Sequence, residues 1–429
     1  MSTVEPLVGA PETSVWKRPG FRRLYFGNTI SWFGSEISEL AVPLLAIATL
    51  SATAAEVGML RAAQFLPFLL LTLYAGTLVD RVRRRPLMVA ADFGRFVAIG
   101  AIPVFVWLGV DQVEPLLILV FAAGSLTVVH QIADTAYLPT FLGRDALLSA
   151  NSKLGAAQSA ASLGGQGVGG ILVATFTAPV AVLIDAISYL VSGLLVAGIP
   201  HREAKPEVPE RRNLRSEIRE GLSYVLRGRY LRPLVGEAAT FNFANEIFLV
   251  GFFVWTARDL DLSPFLIGLM LSLGAVGAFV GAAAGARLSG RFGFGRTMLA
   301  TMVVGNGIPL IVVFARGGGP GTIVLLASVF LIMGFGTALA NVHNVTLRQS
   351  AVPDRLQGRV NASYRLISWG VIPLGAGLGG ILASEFGNRT GMIIGAVGLA
   401  ASTLWVAFSA IPHLSTPPQV ADMESDARS

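Results

Sequence analysis

Polar and apolar positions fall in long blocks along this chain, not in the two-residue period of a strand or the narrow stripe of a surface helix. Twelve blocks are apolar almost throughout: residues 22–50, 54–79, 86–109, 114–141, 148–175, 178–199, 233–257, 264–289, 296–315, 320–348, 360–384 and 388–411. Each reaches or exceeds the ~20 residues that a helix needs to cross a bilayer. The pattern therefore predicts an all-α membrane protein with 12 transmembrane helices. Residues 1–20 are polar, and the first block is too long for the apolar core of a cleavable signal. The first helix is expected to act as its own insertion signal.

Composition sharpens this picture. The 429 residues are 53% apolar and only 14% charged, with a mean hydropathy of +0.65. A soluble protein carries about a quarter charged residues, so a soluble enzyme is excluded. Cysteine is absent, which removes disulfides, thiolate metal sites and cysteine nucleophiles. No Gly-x-x-x-x-Gly-Lys-[Ser/Thr] loop and no His-Glu-x-x-His stretch occurs, so neither ATP-driven transport by this chain alone nor zinc hydrolysis is expected. No cofactor and no metal is expected.

Charge placement sets an orientation. With the N-terminus inside, the inner segments hold 26 of the 32 basic residues and the outer loops hold only Arg258, Arg316 and Arg389. That asymmetry is the positive-inside pattern. The basic residues are spread over seven inner segments, so a nucleic-acid-binding patch is excluded. Both termini are expected in the cytoplasm. Arginine outnumbers lysine 29 to 3, which hints at a GC-rich bacterial genome, and the bacterial cytoplasmic membrane is the expected location.

An internal repeat appears when the chain is shifted by 210 residues. Phe33 then falls on Phe243, Glu36 on Glu246, Ile37 on Ile247, Gly58 on Gly268, Arg81 on Arg291 and Asn151 on Asn361. The run Gly167, Gly169, Gly170, Ile171, Leu172 falls on Gly377, Gly379, Gly380, Ile381, Leu382. Six helices per half make the repeat parallel, related by an axis along the membrane normal. The expected organisation is a tail at 1–21, a six-helix half at 22–199, a linker at 200–232, a second half at 233–411 and a tail at 412–429. The linker carries Pro206 and Pro209 and an amphipathic stretch near Leu214–Leu226, expected to lie as a solvated helix on the inner surface.

Two parallel six-helix halves are the architecture of the major facilitator superfamily. Gly76-Thr-Leu-Val-Asp80-Arg81-Val-Arg83-Arg84-Arg85 resembles that superfamily's signature loop, with Arg83 in place of the second glycine. In the second-half copy only Arg291 survives. Phe21-Arg-Arg-Leu-Tyr-Phe-Gly-Asn-Thr-Ile, Leu60-Arg61-Ala-Ala-Gln-Phe-Leu-Pro67, Ala91-Asp92-Phe-Gly-Arg95 and Val352-Pro-Asp-Arg-Leu-Gln-Gly-Arg359-Val-Asn361 resemble bacterial exporters of the enterobactin-exporter and macrolide-efflux type.

Ionisable residues at bilayer depth are expensive and mark function by default. Glu36 lies about 21 Å from the inner end of its helix at 1.5 Å per residue, with Glu39 one turn on and Glu246 at the matching place in the second half. Arg61, Asp185 and Gln166 come out at similar depth. A carboxylate held between burial, which favours its neutral form, and a cation, which favours its charged form, can load and release a proton. The alternative is that these acids pair with buried bases and hold the bundle together, with Arg61 as the obvious partner. His130, midway along the fourth helix, is either a proton relay or a structural group; His343 is the weaker candidate.

A second cluster, Asp80, Arg81, Arg84, Asp92, Arg95 and Asp134, is expected toward the inner face. The resemblance implies that Asp80 latches against the start of the eleventh helix near Arg359–Asn361, where the helix dipole favours an anion, and that Asp134 pairs with the loop arginines. These residues are assigned to gating. The run Gly164-Gly-Gln166-Gly-Val-Gly-Gly170 predicts close helix packing. It resembles the Gly-Pro-x-x-Gly-Gly of proton antiporters but lacks the proline, leaving Gln166 as a candidate substrate contact.

The expected protein is a monomeric secondary transporter that exports an amphipathic small molecule, a drug, macrolide or siderophore, by alternating access. The proton gradient is its driving force, and protons, cargo and membrane lipid are its partners. The cavity walls are expected to offer Glu36, Glu246, Trp32, Phe33, Phe241 and Phe243, with Arg61 as the main fixed cation. Proton-coupled nutrient uptake, or a non-transporting receptor or assembly partner, are the alternatives.

Overall fold

The computed structural model describes residues 15–142, 144–201, 203 and 214–418. The first half holds α1 (Pro19–Ala48), α2 (Ala54–Val79), α3 (Arg84–Trp107), α4 (Glu114–Phe141), α5 (Arg144–Thr175) and α6 (Ala178–Ala197). A linker helix, α7 (Leu214–Arg227), follows. The second half holds α8 (Leu231–Val254), α9 (Pro264–Phe292), α10 (Phe294–Gly307), α11 (Pro320–Ser350), α12 (Asp354–Gly370), α13 (Ile372–Phe386), α14 (Asn388–Ser402) and α15 (Leu404–Ala407). Among the described residues, eleven spans are long and apolar enough to cross a membrane. The 32-residue α5 adds the twelfth crossing; its Gly, Ala and Ser content makes it less apolar, as suits a helix packed against α1 and α9.

Local chemistry sets the breaks. The Thr53 hydroxyl accepts from the Glu56 amide while the Glu56 carboxylate accepts from the Thr53 amide at 2.6 Å, a capping box that starts α2. Pro309 lacks an amide proton, and α10 passes there into a 3-10 turn, Ile308–Phe314. Pro373 likewise divides α12 from α13. The two therefore form one interrupted span, residues 355–386.

The 210-residue repeat is physical. Gly58 on α2 meets Gly380 on α13, and its repeat mate Gly268 on α9 meets Gly170 on α5, the mate of Gly380. A Cβ on Gly58 would stand 2.5 Å from the Ala376 carbonyl oxygen, and one on Gly268 would stand 2.7 Å from that of Gln166. Only glycine allows these backbones so close. Both crossings join the halves near the same end of the bundle.

The apolar core shows how the halves sit. One continuous cluster draws from both, running from Leu40, Leu45 and Val57 to Phe248, Phe252, Phe330 and Met392. At the other end there are two separate clusters, one around Phe21, Leu24, Met88 and Tyr137 and one around Leu234, Met298, Leu347 and Val406. The molecule is closed at one face and parted at the other. The parted face carries α7 and is called the linker face.

The linker helix is docked, not merely solvated. Val225 is fully buried in the second-half cluster, the Tyr224 hydroxyl donates to the Ala351 carbonyl at 3.2 Å, and Glu220 pairs with Arg359. Pro206 and Pro209 lie outside the described residues.

Candidate functional site: a cavity between the halves

Between the parted halves lies a cavity of about 640 Å3. The first half contributes Glu36 and Glu39 from α1 and Ser162 and Gln166 from α5. The second half contributes small and aliphatic residues with amides and aromatics among them, including Phe241, Asn242, Asn245, Asn341 and Asn344, together with Glu237 and Arg348. A narrower pocket of about 240 Å3 runs inside the first half and shares Glu36, Glu39 and Ser162 with the cavity.

Glu36 is held by neutral donors: the Ser162 hydroxyl at 2.8 Å and the Gln166 amide at 3.1 Å. Arg61 spans the seam to Glu246, with Nε 2.7 Å from Oε2 and Nη2 3.0 Å from Oε1. Both side chains are nearly inaccessible, and the guanidinium also lies near the Phe65 and Phe253 rings, 5.9 and 5.7 Å from their centroids. Glu39, partly exposed to the cavity, places Oε1 3.9 Å from Arg61 Nη2. Two carboxylates thus compete for one guanidinium, and a third, Glu36, sits one turn away.

On the opposite wall, Asn306 Nδ2 donates to Glu237 Oε1 at 3.2 Å and to Ser402 Oγ at 3.1 Å. The Tyr364 hydroxyl donates to the Leu234 carbonyl at 3.1 Å, so it must accept from Asn344 Nδ2, at 2.7 Å. Asn242 Nδ2 donates to the Ser368 carbonyl at 2.7 Å. Asn306 thus uses both of its amide donors on the protein, and Asn344 and Asn242 use one each. Asn344 Oδ1 is buried and, among the described residues, without a hydrogen-bond partner, and the Arg348 guanidinium lines the same wall.

Residues 13–427 match the family model described as transmembrane secretion effector. The chain belongs to the transmembrane secretion effector family. Its relatives include the multidrug efflux pump Tap of Mycobacterium tuberculosis (strain ATCC 25618 / H37Rv), 27% identical over 380 residues that cover 85% of this chain and 87% of that one. In fold it resembles a bacterial homologue of the iron transporter ferroportin in an inward-facing state, with TM-score 0.73 and 16% identity over 92% of this chain and 99% of that one. A ferroportin homologue in an outward-facing state gives TM-score 0.58 and 16% identity over 90% and 98% of the two chains. This secretion effector is thus a multi-pass transporter of the major facilitator type and not an enzyme, in keeping with the resemblance read from its motifs.

In this transporter the expected residues separate into distinct groups. Glu36, Glu39 and Gln166 reach the cavity. The repeat mates Glu36 and Glu246 do not share an environment: Glu246 is spent on Arg61 and is absent from the cavity wall, so neither it nor Arg61 is offered to cargo. Asp185 is buried against α1, accepts from Ser188 at 3.2 Å and faces the narrower pocket, not the seam. Of the expected aromatics, Phe241 lines the cavity and Trp32 the narrower pocket. Phe33 lies against Gly164, and the Phe243 backbone lies against Gly375.

The expected gating cluster also divides. Asp92 pairs with Arg95, accepts from Ser192 at 2.9 Å and lies 3.4 Å from His130 Nε2. The Arg95 guanidinium stacks on Tyr189 at 4.3 Å. This group lies inside the first half, and Arg95 and His130 face the narrower pocket. Asp134 accepts from Asn28 at 3.0 Å and does not meet the loop arginines. Arg84 pairs instead with Glu203 at 3.2 Å, and Arg85 bonds the Val196, Ala197 and His201 carbonyls. Asp80 and Arg81 are exposed and, among the described residues, make no side-chain hydrogen bond or ion pair. The latch to α12 is not made here, because the halves are parted at that face and Arg359 is taken by Glu220. His343 accepts from Ser289 at 2.6 Å and donates to the Leu339 carbonyl at 2.8 Å, a structural role.

Sequence reasoning missed Glu237 and Arg348 as cavity residues. Glu237 lay four residues inside the seventh apolar block and carried the signal of any acid at membrane depth. Its repeat position is Gly27, so it has no matching acid in the first half.

Proposed function

We propose that this transporter exports an amphipathic, cationic or neutral small molecule in exchange for protons. The observation that carries this is the set Glu36, Glu39, Glu246 and Arg61, three carboxylates at one depth with one guanidinium between the halves. Ionised together they leave an excess of negative charge at the head of the cavity, with one guanidinium to offset it. Protons or a cationic cargo supply the balance, and each displaces the other.

In this reading the linker face is cytoplasmic, consistent with the excess of basic residues there, and the membrane is the bacterial cytoplasmic membrane. The cavity then opens to the cytoplasm, which accords with the higher likeness to the inward-facing structure. Cargo enters from that side between Glu36 and the second-half wall that carries Glu237. Arg61–Glu246 and the two glycine crossings hold the far side shut. Reversal of the parting carries cargo across, and protons taken up by the acids on the outside reset the carrier. Relatives that are multidrug efflux pumps, together with a cavity whose reachable acids outnumber its cations, favour an amine-bearing or neutral cargo over an anionic siderophore.

The test is flux in proteoliposomes under an imposed pH gradient, with lipophilic amines, macrolides and siderophores as the panel. Cargo-triggered proton movement in the wild type, abolished by Glu36→Gln, is the expected result. Cargo movement that ignores the pH gradient, or an unchanged Glu36→Gln variant, would overturn the proton-exchange mechanism.

A further inference from the structure

A hollow outside the seam lies on the outer wall of the second half, at the linker-face border. It is a groove of about 680 Å3 between the start of α8 and the end of the last span. Arg227, Arg229 and Arg232, from the α7–α8 junction, line one side. Leu404, Trp405 and Phe408 line the other, and all three are exposed. Arg227 and Arg232 are exposed and, among the described residues, make no ion pair or side-chain hydrogen bond. Among the described residues, no carboxylate lines the groove.

The apolar wall is built, not incidental. Trp405 Nε1 donates to Thr240 Oγ1 at 3.0 Å, which fixes the ring along α8. The ring lies on Gly236, where a Cβ would stand 2.5 Å from Trp405 Cδ2. Any other residue at 236 would lift the ring and fill the groove. A rigid indole at the edge of a span, with its polar end bonded, sits where a membrane interface lies.

We propose that this groove binds the headgroup of an anionic phospholipid. The guanidinium groups take the phosphate, since Arg matches its oxygens in geometry and charge. Trp405, Leu404 and Phe408 lie against the glycerol and the first acyl carbons. Charge complementarity and position favour a lipid over a soluble anion: one side of the groove is cationic, and the other is apolar and continuous with the lipid-facing surface. Basic hollows between spans at the headgroup level bind anionic lipids in this way. The site is outside the transport cavity, so it stands or falls independently of the proposed export.

The test uses the purified full chain in lipid nanodiscs and in detergent. Native mass spectrometry and thermal unfolding are compared with phosphatidylglycerol, phosphatidylcholine and inorganic phosphate. The wild type is expected to retain phosphatidylglycerol and melt higher with it than with phosphatidylcholine. Arg227→Gln/Arg232→Gln is expected to weaken phosphatidylglycerol binding roughly thirtyfold, about fivefold for each charge. Its melting temperature in phosphatidylcholine should stay at the wild-type value. Gly236→Leu, which keeps the charges and blocks the groove, should lose the same lipid. Equal gains from both lipids, a double variant that still prefers phosphatidylglycerol, or full reproduction of the effect by inorganic phosphate would each overturn the proposal.

Discussion

Arg61 of the first half and Glu246 of the second form a two-pronged ion pair across the seam, at 2.7 and 3.0 Å, with both side chains almost wholly buried. Breaking such a pair leaves one charge stranded and destabilises by about 3–5 kcal/mol, whereas replacing both partners with apolar residues is often neutral. Arg61→Ala should therefore melt well below the wild type, and Arg61→Met/Glu246→Met should recover most of the loss. Thermal unfolding in detergent reads both. A single variant as stable as the wild type would show that the bridge does not hold the closed face.

The glycine crossings give a conformational prediction. Gly58→Leu and Gly268→Leu place side chains where backbone now stands, so the closed face should open and the cavity at the linker face should shut. The chain has no cysteine, so one cysteine introduced at Asn341 on the cavity wall reports access directly. Labelling from the linker face should fall severalfold in both variants. Unchanged labelling would mean that the crossings do not set the resting state.

Asp92 touches Arg95, Ser192 and His130 within one half. Asp92→Ala strands the buried Arg95 charge, so stability should drop by about 3–5 kcal/mol. His130→Ala, at 3.4 Å from that carboxylate, should cost far less and leave transport in place. A His130 variant that folds normally yet loses proton exchange would instead restore the relay reading of this histidine.

Glu237 offers a carboxylate to the cavity, with Asn306 as its one side-chain hydrogen-bond donor among the described residues. An ionic hydrogen bond contributes about 1.5–3 kcal/mol. Glu237→Gln should weaken binding of a lipophilic amine by roughly tenfold or more while leaving its N-acylated analogue unaffected. Tryptophan quenching on purified protein measures both. The same loss for both compounds would assign Glu237 to packing and not to recognition.

The groups of Glu36 and Glu246 show how far the sequence reaches. Their common place in a 210-residue repeat was readable, as was the depth they share with Arg61. Which of them Arg61 holds was not, because depth along a helix says nothing of the rotation that decides which side chains meet. The same gap explains Asp134, which meets Asn28 of α1 and not the signature loop.

The apolar blocks, the repeat and the inner-loop arginines by themselves determined twelve crossings in two parallel halves. Bilayer thickness and charge are one-dimensional constraints, and a linear sequence states them directly. Only the tertiary structure decided that one face is closed and the other parted. It also decided that Glu246 is sealed by Arg61 while Glu36 faces the cavity, and that Asp80 stands free of α12. Those outcomes rest on how two rigid halves lean on each other about shared glycine crossings, and that angle is a balance of contacts from residues far apart in the chain.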